Sequence, residues 1–305
     1  MCLHPFRHAL GGDLKRQRDA LLGDTMELLP HFRNKDNEAS YNFWTTQPSG
    51  HFPNGWFARR FRFFQIPDDT DDSCLAYLTL PLPQSESLLL LEKLRKYANG
   101  QIRFNHSLPE DLRKLPAYNT FFIKNMPSNM DAVVLCNALY WMMEANHRLG
   151  LHEEACLDYV SVCVQKQYWI TQPARVAAYY PRPALFAYHF SRLAERFKTL
   201  FPPHVTDAFR RQLESYPQKE KITYAHDHLL LELSKSRLDL PFQKELRPGP
   251  AEAAKYPFYV AGLCGEFHLL PLQKLNRFSI AQIQYRSPVF SRFLELEYEL
   301  RTQQS

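Results

Sequence analysis

At 305 residues the chain is long enough for one large core or for two domains of ordinary size. Its 45% hydrophobic and 23% charged content excludes a disordered chain, and its 10 glycines, about 3% where about 7% is usual, carry neither GxGxxG nor GxxxxGK[ST], so nucleotide folds built on glycine-rich turns are excluded. The formal charge of +5 is dispersed, with no basic stripe interleaved with aromatics, which argues against a nucleic-acid partner.

Helical periodicity runs from end to end, punctuated by 22 prolines. It predicts helices over residues 14–29, 73–80, 86–97, 129–148, 153–165, 183–198, 205–215, 224–237 and 288–301. Shorter turns are expected at 41–46, 108–115 and 251–256. No convincing strand pair is seen. Residues 1–12 are expected to be loosely ordered, and 1–11 lack the apolar core of a secretory signal. The longest apolar run, 132–143, is too short for a membrane span and contains Asn137. The six cysteines form no CxxC pair and sit mostly in apolar runs, as small hydrophobes of a reduced, cytoplasmic protein. A peripheral membrane contact stays open, and nothing in the sequence speaks to oligomeric state.

Two kinds of helix are present. Those at 86–97 and 205–215 are amphipathic and read as an outer layer, whereas Asp131 to Met143 is apolar on nearly all sides and reads as buried. The latter is expected to stop at Gly150 and to form a hairpin with the helix that follows. Three apolar helices open on aspartate, at Asp71–Asp72, Asp131 and Asp227. Their intervals are 59 and 96 residues, the second about twice 48, which suggests stacked helical units. About six hairpins would close into one all-α, α/α-toroid domain spanning residues 1–305, with residues 73–80, 129–143 and 224–233 in its inner ring.

The most informative stretch is Asp68-Asp69-Thr70-Asp71-Asp72-Ser73 after Pro67. One reading is local: aspartate and serine cap helix N-termini, where negative charge suits the macrodipole. The other is chemical. Crowded carboxylates cannot all ionise, so one retains a proton and can act as an acid. Asp69-Thr70-Asp71-Asp72-Ser73 resembles the D-x-D-D-[ST] motif of class II terpene cyclases, the squalene–hopene and diterpene cyclase group. That motif lies at the top of an inner helix of an α/α toroid. Tyr118 to Phe122, Asn137, Tyr179 to Phe186, Tyr188 and Ser191-Arg192 are similar to pieces of bacterial toroid proteins of the same superfamily. The chain has room for one toroid and lacks the glutamine–tryptophan repeats.

The resemblance implies protonation-initiated cyclisation of a hydrophobic prenyl chain or prenylated small molecule, without a cofactor. Asp71 would be the proton donor and Asp69 and Asp72 its neighbours. Carbocations are stabilised by aromatic faces, for which Trp44, Trp56, Phe57, Phe122, Trp141, Tyr180 and Tyr188 are the candidates, with Asn137 beside them. Two alternatives stand. The toroid could bind a hydrophobic ligand or partner protein without catalysis, the aspartates serving as caps. Asp68, Asp69 and Asp72 also satisfy D-D-x-x-D and could hold magnesium if the substrate is a diphosphate. Arg59, Arg60 and Arg62 could meet a diphosphate or form ion pairs. His226-Asp227-His228 points its imidazoles to different sides of a helix and reads as packing.

Overall fold

The computed structural model describes residues 26–46, 67–79, 82–100, 108–122, 129–216, 225–244, 259–262, 282–285 and 288–304, with isolated helical positions at Arg16, Ala20 and Gly23. Residues 1–12, Trp56, Phe57, the arginines at 59, 60 and 62, and the turn expected at 251–256 lie outside the described residues.

The backbone is mostly helical, as the periodicity predicts. The helices are α1 (Thr70–Thr79), α2 (Gln84–Lys96), α3 (Glu110–Arg113), α4 (Ala132–Glu144), α5 (Leu151–Gln165), α6 (Tyr168–Thr171), α7 (Pro173–Val176), α8 (Pro183–Arg196), α9 (Pro203–Ser215), α10 (Ala225–Arg237) and α11 (Pro288–Gln304). A 3-10 turn at Leu29–Phe32 takes up the end of the first expected helix. One short antiparallel pair departs from the all-helical expectation: β1 (Tyr259–Gly262) runs against β2 (Gln282–Tyr285), with Tyr259 opposite Tyr285. Four residues per strand are too few for an alternating pattern to stand out.

Helices α1, α4, α8, α10 and α11 form a row, each packed on the next. Helix α2 covers α1, α5 covers α4, and α9 packs against α5 and α10. The row corrects the inner set expected from sequence, because α8 lies between α4 and α10. Arg182, which precedes α8, falls about midway in sequence between Asp131 and Asp227. Burial follows the layers. Ala132 to Met142 of α4 and Ala184 to Ala194 of α8 are buried throughout, whereas α9 buries only Val205, Phe209, Gln212 and Leu213. Cys74, Cys136, Cys156 and Cys163 are free thiols inside this core, as expected.

The end of α4 differs from the expectation at Gly150. The helix stops at Glu144, where Asn146 takes a left-handed conformation (φ 55°). His147 N–H then bonds the Met142 carbonyl (2.9 Å) and Asn146 N–H that of Met143 (3.2 Å), a Schellman stop. Asparagine tolerates this region better than other side-chain-bearing residues, so no glycine is needed. Gly150 instead precedes α5, and its N–H bonds the Glu153 carboxylate at 2.7 Å.

The start of α4 organises its neighbour. Asp131 caps the helix through Oδ1, which accepts from Val133 and Val134 N–H at 2.9 and 3.4 Å. Its Oδ2 accepts from Tyr179 and Tyr180 N–H at 2.9 and 3.3 Å. One carboxylate therefore ties the segment leading into α8 to the N-terminus of α4. Replacing Asp131 by alanine removes a cap and strands two more backbone donors, which is expected to cost about 3 kcal/mol. Urea denaturation at neutral pH checks this; Asp131→Asn, which keeps an oxygen on the α4 N–H groups, is expected to lose less.

Candidate functional site

The acidic cluster sits where four extended segments lie side by side. Antiparallel bridges join Arg33 to Tyr41, Tyr41 to Asp69 and Asp69 to Phe121, and the chain enters α1 from this platform. Thr70 is pinned on both sides of its backbone: its N–H bonds the Thr120 carbonyl and its hydroxyl the Asn119 carbonyl. The N-terminus of α1 is thus fixed by contacts 49 residues away in sequence.

The four aspartates divide the work. Asp68 faces the 34–42 segment. Its Oδ2 accepts from Ser40 Oγ at 2.6 Å and from Asn34 Nδ2, its Oδ1 from Asn42 Nδ2 at 3.3 Å, and Lys93 Nζ of α2 stands 3.6 Å away. Asp69 is the N-cap of α1: its Oδ1 accepts from Asp72 N–H at 2.7 Å. The Asp69 and Asp72 carboxyls also hydrogen-bond each other. Burial, followed by the neighbouring carboxylates, pushes Asp69 well above the usual carboxylate range. Burial likewise raises Asp72 to about 6, although its hydrogen bond to Asp69 opposes the rise. Both carboxyls therefore take up a proton more readily than isolated aspartates do.

Asp71 is different. Its carboxylate is bonded by side chains from other elements: Asn137 Nδ2 of α4 donates to Oδ1 at 2.7 Å, and the Tyr180 hydroxyl donates to Oδ2. Burial raises Asp71, and the hydrogen bonds from Tyr180 and Asn137, then the charge of Arg192, pull it back. Asn137 is itself held from α8, its Oδ1 accepting from Arg192 Nη2 at 2.6 Å and from His189 Nδ1 at 2.8 Å. Burial, then the nearby arginines, hold His189 well below its ordinary range, hence neutral. Tyr180 reaches Asp71 because Asp131 fixes its backbone and Pro181 and Pro183 restrict the chain that follows it. Along α1, Asp72, Leu75 and Thr79 keep partial exposure while the residues between them are buried, so one stripe of the helix is accessible beside the acids.

Of the residues singled out from sequence, Asp69, Asp71, Asp72, Asn137 and Tyr180 converge. Trp44 belongs to the Asp68 side, its N–H bonded to Asn42 Oδ1 at 2.9 Å. Phe122 turns toward α2, with Lys93 Nζ 5.1 Å from its ring centroid and Tyr97 at 5.9 Å. Trp141 is core, packed on Tyr77 and His147. Tyr188 joins a buried ion network, its hydroxyl bonding Glu297 at 2.8 Å and Arg237 lying 4.1 Å from its ring centroid. His226 bonds Ser291 at 2.7 Å and Asp227 pairs with Arg182, consistent with the packing reading of that triplet. Asp68, Asp69 and Asp72 do not form a metal cage, and no group of three His, Cys, Asp or Glu among the described residues does. His189 had no sequence signal, and Arg192 appeared only within a resembling stretch; the two lie one turn apart on α8.

The chain matches no family model, no curated protein and no solved structure. No helix among the described residues is long and apolar enough to cross a membrane.

The Asp69–Asp72 pair makes a pH prediction. A carboxyl whose folded pKa is raised binds protons more tightly in the native state, so its contribution to stability is fully present below about pH 4 and is lost as pH rises through about 6. Thermal melts of the parent and of Asp72→Asn between pH 4 and 8 are expected to diverge. The variant, which keeps the capped backbone N–H, gains on the parent as pH rises, by about 2–4 °C for each kcal/mol of relieved repulsion. Parallel melting curves would remove the shared-proton assignment.

Proposed function

We propose that the protein is a class II terpene cyclase-like enzyme, in which Asp71 protonates an alkene or epoxide of a prenyl chain or prenylated small molecule. The single observation that carries this reading is the environment of Asp71. It lies within α1 yet is held by the side chains of Asn137 and Tyr180 from two other elements, in a buried site that raises its pKa. In this reading the row of helices α1, α4, α8, α10 and α11, with its outer layer, forms the inner part of an α/α toroid, with the acids at the N-terminal ends of the inner helices. Free buried cysteines fit a reducing cytoplasm.

In this reading the neutral Asp71 carboxyl gives its proton to an alkene carbon. The π pair forms the new C–H bond, and the cation left on the other carbon is attacked by the next double bond, closing a ring. Loss of a proton or capture of water ends the sequence. Partly exposed Tyr180, bonded to Asp71, connects the acid to solvent for reprotonation. Phe121, stacked edge-on to Tyr179 at 5.1 Å, offers an aromatic face near the same opening.

The non-catalytic alternative has a specific observation behind it too: Asp68 and Asp69 are both occupied in holding the platform and capping α1. Their roles are structural in either reading, so Asp71 discriminates. Incubation with a panel of prenyl diphosphates and prenylated aromatics, followed by mass spectrometry, is expected to show a product isomeric with its substrate or heavier by one water. Asp71→Asn is expected to abolish it while leaving the helix cap in place, because Asp69 rather than Asp71 caps the helix. Asp68→Asn is expected to lower stability more than activity. Turnover in Asp71→Asn equal to the parent's would end the proton-donor assignment, and ligand binding without turnover in the parent would favour the binder.

A further inference from the structure

Arg192 is a buried cation in an unusual position. It is 4% exposed on α8, its guanidinium lies 4.6 Å from the Tyr140 ring centroid, and its Nε has no hydrogen-bond partner. Its side-chain hydrogen bond goes to a neutral group, the Asn137 amide oxygen, at 2.6 Å. Among the described residues no carboxylate lies within ion-pair distance of it. An unpaired buried charge is costly, and such groups are normally found with a counter-charge. The nearest candidate stands on the other side of the amide: Asn137 Nδ2 donates to Asp71 Oδ1 at 2.7 Å.

We propose that Arg192 is the counter-charge of Asp71, acting through Asn137 as a positioning residue that orients the amide and sets how readily Asp71 gives up its proton. The amide orientation follows from the donor inventory. Arginine can only donate, so the oxygen of Asn137 must face α8 and its NH2 must face Asp71. With the oxygen so placed, His189 Nδ1 is the donor to it, which sets the His189 tautomer. A polarised amide between a cation and a carboxylate transmits the attraction across both hydrogen bonds. Tuning of an acid catalyst rests on the cyclase reading; the charge pairing does not, since it is measured without substrate.

The test reads the titration of Asp71 by NMR of protein labelled with 13C-carboxyl aspartate, the Asp71 signal being assigned by its loss in Asp71→Asn. The other charged and titratable groups around Asp71 remain in every variant: Asp68, Asp69 and Asp72 on its own segment, Tyr180, and His189 on α8. In Arg192→Met, Asp71 is expected to bind its proton at least tenfold more tightly than in the parent. Arg192→Lys, which keeps the charge, is expected to move it less. Stability adds a second readout: Arg192→Met is expected to lower the melting temperature markedly in the parent and much less in the Asp71→Asn background. Folding of the double variant where Arg192→Met alone does not fold supports the pairing. An unmoved Asp71 titration, or equal loss from Arg192→Met in both backgrounds, overturns it. Absence of cyclase activity in the parent would fell the functional reading and leave this measurement standing.

Discussion

Negative charge taken out of water has to be offset, and this end of the molecule is arranged around that need. Five aspartates, Asp68, Asp69, Asp71, Asp72 and Asp131, gather at the starts of α1 and α4. Each finds a different compensation: a lysine and three neutral donors for Asp68, helix N–H groups for Asp69 and Asp131, a shared proton for Asp69 with Asp72, and side chains of other elements for Asp71. The helix macrodipole favours anions at these ends, while burial disfavours them. Burial wins at Asp69, Asp71, Asp72 and Asp131, each of which is raised above the usual carboxylate range, and at Asp69 and Asp72 the neighbouring carboxylates add to the rise.

Connectivity follows from the same compensation. Asp131 reaches forward to the 179–180 backbone, that segment delivers Tyr180 to Asp71, and Asp71 meets Asn137 one turn and a half into α4. The loop closes through α8, whose Arg192 and His189 hold the far side of Asn137. Three helices in the row are therefore coupled by polar contacts inside an apolar core. Such networks specify one packing only when every member is satisfied, since a half-satisfied polar group in a low-dielectric interior is costly.

Much of this was legible in the sequence, and for a physical reason. Four carboxylates ahead of an apolar run stand out because composition rarely places them there, and Asn137 stands out as an amide in an otherwise apolar helix. The layers were legible too, since α4 lacks a polar face and α9 has one. What stayed hidden was whatever depends on which helices are neighbours. Helix α8 carries polar residues at His189, Ser191 and Arg192, and the fold buries all three. The directions of the aromatics were hidden for the same reason. Trp141, Phe122 and Tyr188 have the right chemistry, but their directions are set by packing against Tyr77, Lys93 and Arg237.

The choice between a cap and a catalytic acid, posed by the motif, dissolves once the four residues are separated. Capping needs one side-chain oxygen at the N-cap position, and Asp69 supplies it. Anchoring the platform needs an acceptor facing Ser40 and Asn42, and Asp68 supplies that. Neither task calls for Asp71. A hydrophobic residue there would spare the fold a buried carboxyl, and with it the need for Asn137, Tyr180 and a buried Arg192 to accommodate it. Asp71 is thus neither cap nor anchor, and the side chains that hydrogen-bond it, Asn137 and Tyr180, come from other elements.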